Sequence, residues 1–316
     1  MTAATHSNRP PVTVVTRGIL FLIAGVFIFS LQGIIVKTIS DKYAVLEIVI
    51  VRCLVALPCL LLIYRFEGRK GIPKTTHYWQ EILRGFLLFI SFSTYYMGLA
   101  AIPLGDAAAI RFSAPIFVAF FSVVIVGETV GIHRWSAILA GFCGVLLIVQ
   151  PGTANFNFGS LCVLICTITY ALSAIVTRSL RNDDSSATMA YFSTLVYLGA
   201  ALILAPIMLG IGEPENAHPS LAFLLRTWNM PTLFDFLIFC SLGVIWSIGM
   251  YCMTSAYILV ASSVIAPFEY TTLPINVIWG YIIWSEIPTL ATWIGASIAL
   301  GSMAYIFYRT RKTSKQ

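Results

Sequence analysis

The chain has 316 residues, of which 59% are hydrophobic and 10% charged, with a formal net charge of +6. Soluble domains carry about 25% charged residues, and a solvated surface needs more charge than this chain has. Disorder is excluded as well, because disordered segments have low hydrophobicity. The composition therefore predicts an integral membrane protein.

Ten apolar segments are candidates for membrane-spanning helices, which need roughly 20 residues each. They cover residues 18–36, 45–64, 82–101, 107–126, 135–150, 158–177, 187–209, 234–259, 263–284 and 290–308. These spans use most of the chain and leave no room for a soluble domain. Continuous apolar runs also differ from the alternating pattern of a β-barrel. The predicted fold class is all-α integral membrane, with ten transmembrane helices.

Lysine and arginine residues are strongly biased to one side of these spans. With a cytoplasmic N-terminus, 14 of the 19 lie on the cytoplasmic side, Arg84 among them. Three lie on the other side (Lys37, Lys42 and Arg226), and two lie inside spans. This distribution predicts cytoplasmic termini. We therefore interpret the net positive charge as a signal that orients the chain in a lipid bilayer with anionic lipid, and not as a sign of nucleic-acid binding.

The cysteines and histidines predict neither a metal site nor a cofactor. The seven cysteines lie in or beside spans without a Cys-x-x-Cys pair, and the four histidines lie in the tail or in loops. Cys162 and Cys166 have i, i+4 spacing and are interpreted as small buried residues, with metal ligation as the less favoured alternative.

An internal repeat relates residues 98–144 to residues 256–302 at an offset of 158. It aligns Glu128 with Glu286 and Trp135 with Trp293, so Glu-x6-Trp recurs at a junction of two spans. Each half has five spans, so the second half enters the membrane from the opposite side, which makes an inverted repeat.

The repeat also divides the chain into four parts. The predicted parts are a disordered cytoplasmic tail at 1–16, a first five-helix repeat at 17–152, a second repeat at 153–309 and a basic cytoplasmic tail at 310–316. Small residues four apart in the fifth and tenth spans permit close helix packing, either within the chain or in a homodimer. They include Ala140 with Gly144 and Gly295 with Ala299.

The two repeated stretches resemble a known family. Residues 98–152, beginning GLAAIPLGDAAAIRFSAPIF, are similar to the first EamA-type half of the drug/metabolite transporter superfamily. Residues 256–308, including APFEYTTLPINVIWGYIIWSEIPTLATWIG, are similar to the second half. The resemblance implies an alternating-access secondary transporter of a small organic metabolite in the bacterial inner (plasma) membrane. Its candidate substrates are riboflavin or a related vitamin, S-adenosylmethionine and amino-acid derivatives.

Three charged residues lie inside spans, where a charge costs several kcal/mol and marks a functional site by default. Arg111 and Glu269 are related by the offset of 158. We expect them to line a substrate site, with Arg111 binding an anionic or carbonyl group and Glu269 binding a donor or a coupling proton. The alternative is a structural ion pair that locks two helices. Arg52 is interpreted as structural, with Glu47 on the same helix helping to neutralise it.

Polar and aromatic side chains at similar depth complete the predicted site, since aromatic faces and amides bind planar or cationic ligands. These further substrate-binding candidates are Tyr95, Tyr170, Trp246, Tyr270 and Gln32. Structural roles are predicted for Glu128 and Glu286, at span ends where they cap or join helices. Pro115 and Pro274 are expected to kink spans and to free backbone carbonyls.

Two other classes of function are alternatives to a transporter. An intramembrane enzyme requires a nucleophile with a base or a metal site inside the spans, and the spans contain no histidine and no carboxylate pair. A channel is typically lined by rings of like charge, which the sequence lacks, and a membrane scaffold without transport is the remaining alternative. Neither class is favoured over a secondary transporter, and the chain carries no P-loop motif for ATP binding.

Overall fold

The computed structural model describes residues 12–125 except 112, single residues between 136 and 147, and residues 157–180, 183–212, 214, 216–260, 269 and 271–313. These residues form α-helices joined by turns, and none of them is in a β-strand. Eleven helices have defined bounds. They are α1 (Val12–Ile39), α2 (Val45–Phe66), α3 (Tyr78–Leu99), α4 (Leu104–Arg111), α5 (Ala114–Val124), α6 (Phe158–Leu180), α7 (Ser186–Ile211), α8 (Pro219–Leu225), α9 (Leu233–Leu259), α10 (Thr272–Trp284) and α11 (Leu290–Thr313).

Six of these helices are long and apolar enough to cross a bilayer, which defines a multi-pass membrane protein. They are α1, α2, α3, α6, α7 and α9, with hydropathies of 1.3 to 2.6 over their most apolar stretch. They coincide with the first, second, third, sixth, seventh and eighth predicted spans. Most of the fifth predicted span lies outside the described residues, as do Glu128 and Trp135.

The fourth predicted span is interrupted. Helix α4 ends at Arg111 and α5 begins at Ala114, with Ser113 in a turn between them. Pro115, at the second position of α5, has no backbone N–H to donate, which favours a new helix start. A second turn lies at Thr271, immediately before α10, and Pro274 follows in the first turn of that helix. Ser113 and Thr271 are separated by the repeat offset of 158, and both have α-type backbone angles.

Helices of the N-terminal half pack mainly on helices of the C-terminal half. Helix α1 packs on α9, α3 on α6, α2 on α7 and α4 on α10. Two further pairs, α2 with α9 and α3 with α7, complete the large contacts of the long helices. The core therefore lies between the halves, and a site formed there receives side chains from both.

Small residues allow some of these helices to approach closely. A Cβ atom added to Gly144 would lie 2.7 Å from the backbone oxygen of Gly295. The small residues predicted to pack the fifth and tenth spans thus meet within one chain. Gly98 is in a similar position, because a Cβ there would meet Val163 at 2.4 Å and the oxygen of Gly159 at 3.0 Å.

The turn between α1 and α2 is fastened to the start of α9. The Tyr43 hydroxyl donates to Oδ2 of Asp235 at 2.7 Å. This hydrogen bond to a carboxylate, with some desolvation by burial, raises the pKa of Tyr43 above its ordinary value. Thr232 caps α9 by accepting from the Asp235 amide.

At the same end of the bundle, an ion pair joins the two halves. The Lys37 Nζ atom lies 2.7 Å from Oε1 of Glu286 and 3.0 Å from the oxygen of Ile102. The other Glu286 oxygen accepts from the Leu104 amide at 3.1 Å, at the N-terminus of α4. We call these four residues the clasp. Glu286 thus contacts both the N-terminus of α4 and the end of α1.

The clasp should contribute measurably to stability. Replacing Glu286 with Ala removes a helix cap and an ion pair, and we expect the free energy of unfolding to fall by about 1–3 kcal/mol. Replacing it with Gln keeps an acceptor for the Leu104 amide and should cost less than half as much. The measurement is the melting temperature of the purified protein. The control is Asp41→Asn, because Asp41 is exposed in the nearby turn, and equal melting of all four proteins would contradict the role of the clasp.

Candidate functional site

A pocket lies between the two halves, at the depth of the turns at Ser113 and Thr271. Helices α1, α3, α4, α5, α6, α9 and α10 line it, together with Glu269. The lining residues are Val26, Phe29, Ser30, Tyr95, Ala108, Arg111, Ala114, Tyr170, Met253, Glu269, Thr272 and Asn276. Four residues predicted from the sequence as substrate contacts, Arg111, Glu269, Tyr95 and Tyr170, are therefore brought together here.

Arg111 is the last residue of α4, and its guanidinium lies against two aromatic rings. Its Cζ atom is 4.8 Å from the centre of the Tyr95 ring and 5.6 Å from that of the Tyr170 ring. Each such cation–π contact contributes about 0.5–2 kcal/mol. The rings hold the cation inside the bundle and orient it toward the pocket.

Glu269 is held by phenol groups instead of a basic residue. Its Oε1 atom accepts a hydrogen bond from the Tyr170 hydroxyl at 3.3 Å and another from the Tyr257 hydroxyl. Tyr257, near the end of α9, was not predicted as a site residue. Tyr170 therefore contacts the acid through its hydroxyl and the base through its ring face.

Arg111 and Glu269 share the pocket without forming an ion pair. The ion pairs among the described residues join Lys37 to Glu286, His77 to Asp183 and Arg84 to Glu81. Both Arg111 and Glu269 keep part of their surface exposed. A buried pair that only locks helices would be expected to close on itself, because an unpaired buried charge is costly. This geometry favours groups that await a ligand.

The pocket is small in this conformation. Its volume is about 50 Å³, whereas sites for drug-sized ligands have about 300–1,000 Å³. The pocket is thus smaller than a site for a drug-sized ligand in this conformation. Asn276, also not predicted as a site residue, lines the pocket and is only 3% exposed, and its Oδ1 has no hydrogen-bond partner among the residues that the structure describes. A ligand N–H group is a suitable partner for that oxygen.

Arg52 occupies a separate aromatic cage, which we define as Tyr96, Tyr197 and Trp246. Its Cζ atom lies 4.0 Å from the Trp246 ring centre and 4.6 Å from that of Tyr197. Its Nη1 atom donates to the Tyr96 hydroxyl at 2.6 Å. The predicted neutralisation by Glu47 does not occur: among the described residues no carboxylate lies within 4 Å of Arg52. Five residues along a helix place two side chains on different faces.

Two other predicted substrate contacts lie behind the pocket, one of them in this cage and the other beside it. Trp246 is completely buried and donates its indole N–H to Oγ1 of Thr194 at 2.9 Å. Gln32 is 2% exposed and donates to the Tyr96 hydroxyl. Neither residue lines the pocket, because each faces the core of its own helix packing. Tyr270 lies outside the described residues.

Arg84, which the sequence predicts on the cytoplasmic side, lies in the second turn of α3, a helix that begins at Tyr78, four residues before the predicted span. Arg84 is only 3% exposed, next to the fully buried Glu81. Within the described part of the chain, histidine, cysteine and acidic residues form no group that could hold a metal ion.

The long apolar helices, the packing between two halves and the polar pocket at their interface define a membrane transport protein. A model of the EamA-like transporter family matches residues 16–150 and 157–308, and the chain belongs to that family. The resemblance found in the two repeated stretches is therefore confirmed, and the architecture contains two EamA repeats.

Curated relatives over nearly the full length are transporters. The chain is 24% identical to the S-adenosylmethionine uptake transporter of Rickettsia prowazekii, over 94% of each chain. It is 25% identical to the riboflavin transporter of Vibrio cholerae, over 95% of this chain and 96% of the relative. It is 24% identical to the pseudopaline exporter CntI of Pseudomonas aeruginosa, over 93% and 97%.

A solved crystal structure supports the fold alone. It superposes with a TM-score of 0.61 at 14% identity and covers 94% of this chain and 99% of the other. Together with the curated relatives, the family assignment identifies this chain as a transporter of a small metabolite, as the sequence predicted. An enzyme is not favoured, because the relatives are transporters.

The cage around Arg52 should be structural. Replacing Trp246 with Phe removes a buried hydrogen bond and weakens the cation–π contact, and we expect a loss of about 1–3 kcal/mol of stability. The melting temperature of the purified protein is the measurement. Trp228→Phe is the matched control, since Trp228 is 41% exposed in a loop. If both variants melt like the wild type, Trp246 does not stabilise Arg52.

Proposed function

We propose that this chain is a secondary-active transporter that binds a zwitterionic or amphipathic planar metabolite between Arg111 and Glu269 and moves it by alternating access. The observation that carries the proposal is that these two charges line one pocket without pairing. Arg111 binds an anionic or carbonyl group of the solute. Glu269 binds a donor or a cation, or carries a coupling proton, and the rings of Tyr95 and Tyr170 contact a planar part.

The candidate substrates follow from this chemistry and from the relatives. S-adenosylmethionine combines a carboxylate, an ammonium, a sulfonium and an adenine ring, which match a base, an acid and aromatic faces. Riboflavin offers a planar ring system with carbonyl groups for Arg111 and N–H groups for Asn276 or Glu269. An amino-acid derivative is the third class. One relative is an uptake transporter and another is an exporter, so the proposal makes no choice between import and export.

The proposed architecture is ten transmembrane helices in two inverted repeats, 17–152 and 153–309, between tails at 1–16 and 310–316. The packing pattern supports it: exchanging α1 with α6, α2 with α7 and α3 with α9 converts each large contact into another large contact. The turns at Ser113 and Thr271, 158 residues apart, support it as well. The inverted halves give the two mirror-related states that alternating access requires.

The proposed location is the inner membrane, with both termini in the cytoplasm, on the basis of the Lys and Arg bias. In that orientation the clasp lies on the extracytoplasmic side. Ser30 and Lys37 are seven residues apart on α1, which is about 10 Å along a helix. The clasp therefore closes the extracytoplasmic end of the pocket, and passage of a solute on that side requires the Lys37–Glu286 pair to separate.

Reconstituted transport tests the function directly. Purified protein in proteoliposomes is loaded with unlabelled S-adenosylmethionine, riboflavin or an amino-acid mixture, and entry of the labelled solute is measured. We expect saturable counterflow of at least one solute, because a carrier exchanges ligand across a closed site. Liposomes without protein are the control, and the absence of counterflow for every class would contradict the proposal.

Single and paired substitutions test the roles of the two charges. Arg111→Lys and Glu269→Gln each remove charge-assisted hydrogen bonds worth about 1.5–3 kcal/mol, so we expect transport efficiency to fall about 10–100-fold. The melting temperature should change little, and Arg69→Gln in an exposed loop is the matched control. In the double variant Arg111→Glu with Glu269→Arg, restored folding and transport would show a structural pair and would refute substrate binding.

A further inference from the structure

A second group of buried charges lies in the first two turns of α3, at the end of that helix away from Tyr95. Glu81 is fully buried and Arg84 is 3% exposed. Asp184, in the turn before α7, is 7% exposed and accepts a hydrogen bond from the Thr75 hydroxyl at 2.7 Å. We call Glu81, Arg84 and Asp184 the Glu81 cluster. The Glu81 cluster is a buried polar site that takes no part in the chemistry proposed for the pocket.

Arg84 is satisfied without Glu81. Its Nε atom donates to Oγ1 of Thr177 at 2.7 Å, on α6. Its Nη1 atom donates to the oxygen of Met189 at 2.8 Å and to Oγ of Ser193 at 2.5 Å, on α7. Its Nη2 atom reaches Oγ1 of Thr254, on α9, at 3.5 Å. Each guanidinium nitrogen therefore has a partner on a neighbouring helix, so Arg84 does not require an ionised Glu81.

Glu81 is in the opposite situation. Both of its carboxyl oxygens are buried and, among the described residues, accept no hydrogen bond. The nearest basic atom, Arg84 Nη1, is 3.7 Å away from Oε2, beyond hydrogen-bond distance. A buried carboxylate without donors is strongly disfavoured, and binding a proton removes that cost. Asp184 is a second carboxyl group that interacts with Glu81.

Polar side chains connect this cluster with the pocket along two helices. On α6, Tyr170 contacts Glu269, and Thr177 contacts Arg84, with the buried Ser173 on the same face between them. On α9, Tyr257 contacts Glu269, and Thr254 is the neighbour of Arg84 three residues earlier. Because residues three, four or seven apart share a helix face, both helices present a polar stripe that runs from Glu269 to Arg84.

We propose that Glu81 is a proton-binding site that couples solute movement to a proton gradient, with Arg84 as the positioning residue between it and the pocket. The proposal rests on the transport function proposed above. Glu81 forms an O–H bond with a proton from water on the side of Asp184, and when the carboxyl ionises in the other open state, the same proton is released toward the pocket and returned to water on the opposite side of the membrane. Ionised Glu81 attracts Arg84 away from Thr177 and Thr254. These two threonines lie on the same helices as Tyr170 and Tyr257, which hold Glu269, so a movement of Arg84 is transmitted to the pocket.

The groups that face Glu81 are consistent with this role. Arg84 is the basic residue on its own helix, and Asp184 is the acidic residue from the turn before α7. Farther out, His77 lies 3.5 Å from Asp183, and both are about half exposed. The described part of α9 contributes the uncharged Thr254. The half-exposed Asp183 is the chain neighbour of Asp184, and this is the side from which we expect protons to reach the cluster.

Glu81→Gln in proteoliposomes separates coupling from structure. A gradient of one pH unit drives about tenfold accumulation for one proton per solute, measured with labelled S-adenosylmethionine and with labelled riboflavin. We expect wild type to accumulate solute and Glu81→Gln to lose accumulation while keeping counterflow at equal pH. Asp183→Asn is the matched control and should keep both activities. If Glu81→Gln loses both or keeps both, or if the wild type shows counterflow without gradient-driven accumulation, the proposal is overturned.

A second measurement does not depend on the solute. Infrared difference spectra of the wild type during a pH titration should contain a carboxylic-acid C=O band that is absent in Glu81→Gln. Glu81→Asp should shift that band, which covers the case in which the Gln variant does not fold. A missing band would overturn the proposal even if transport is observed. If neither solute is transported but the band is present, the substrate assignment has failed and the proton site stands.

Discussion

A polar group inside a bilayer has no water to bind, so each charge in this bundle must be satisfied by the protein or by something that the protein carries. The described charges satisfy this constraint to different degrees. Arg52 is enclosed by three rings and a tyrosine hydroxyl, and Lys37 and Glu286 satisfy each other at the rim. Arg111 and Glu269 have partners on one side and a pocket on the other. This difference separates charges that hold helices together from charges that are available to a ligand.

The sequence predicted the long helices well because each apolar run is by itself long enough to cross a membrane. It predicted their ends less well, because apolar composition changes gradually at a helix end. The error of four residues at the start of α3 left the buried Glu81 outside the predicted span, and nothing in the sequence indicated that Arg84, inside that span, is buried as well. The sequence indicated the interruption at Ser113 only as a kink expected at Pro115, because a proline inside an apolar run signals a bend or a new helix start without deciding between them.

The part of the candidate site that could be predicted is the part that the internal repeat relates. The offset of 158 relates Arg111 to Glu269, and both line the pocket. The rotation of each helix about its own axis could not be predicted. A helix that is apolar on every face carries little information about which face is turned inward. Trp246 and Gln32 consequently lie behind the pocket, whereas Tyr257 and Asn276 face it. Only tertiary packing distinguishes these two groups. Tyr270 and Glu128 stay predictions.

The proposed inverted repeat has an electrical consequence. Arg111 and Glu269 are separated by the repeat offset of 158, yet one side chain is basic and the other acidic. With Glu269 ionised, the proposed site is a dipole whose direction stays with the side chains when the two halves exchange conformations. A zwitterion bound in the proposed site would then keep one polarity relative to the protein in both open states, and a molecule with its charges in reverse order would have to turn around before binding.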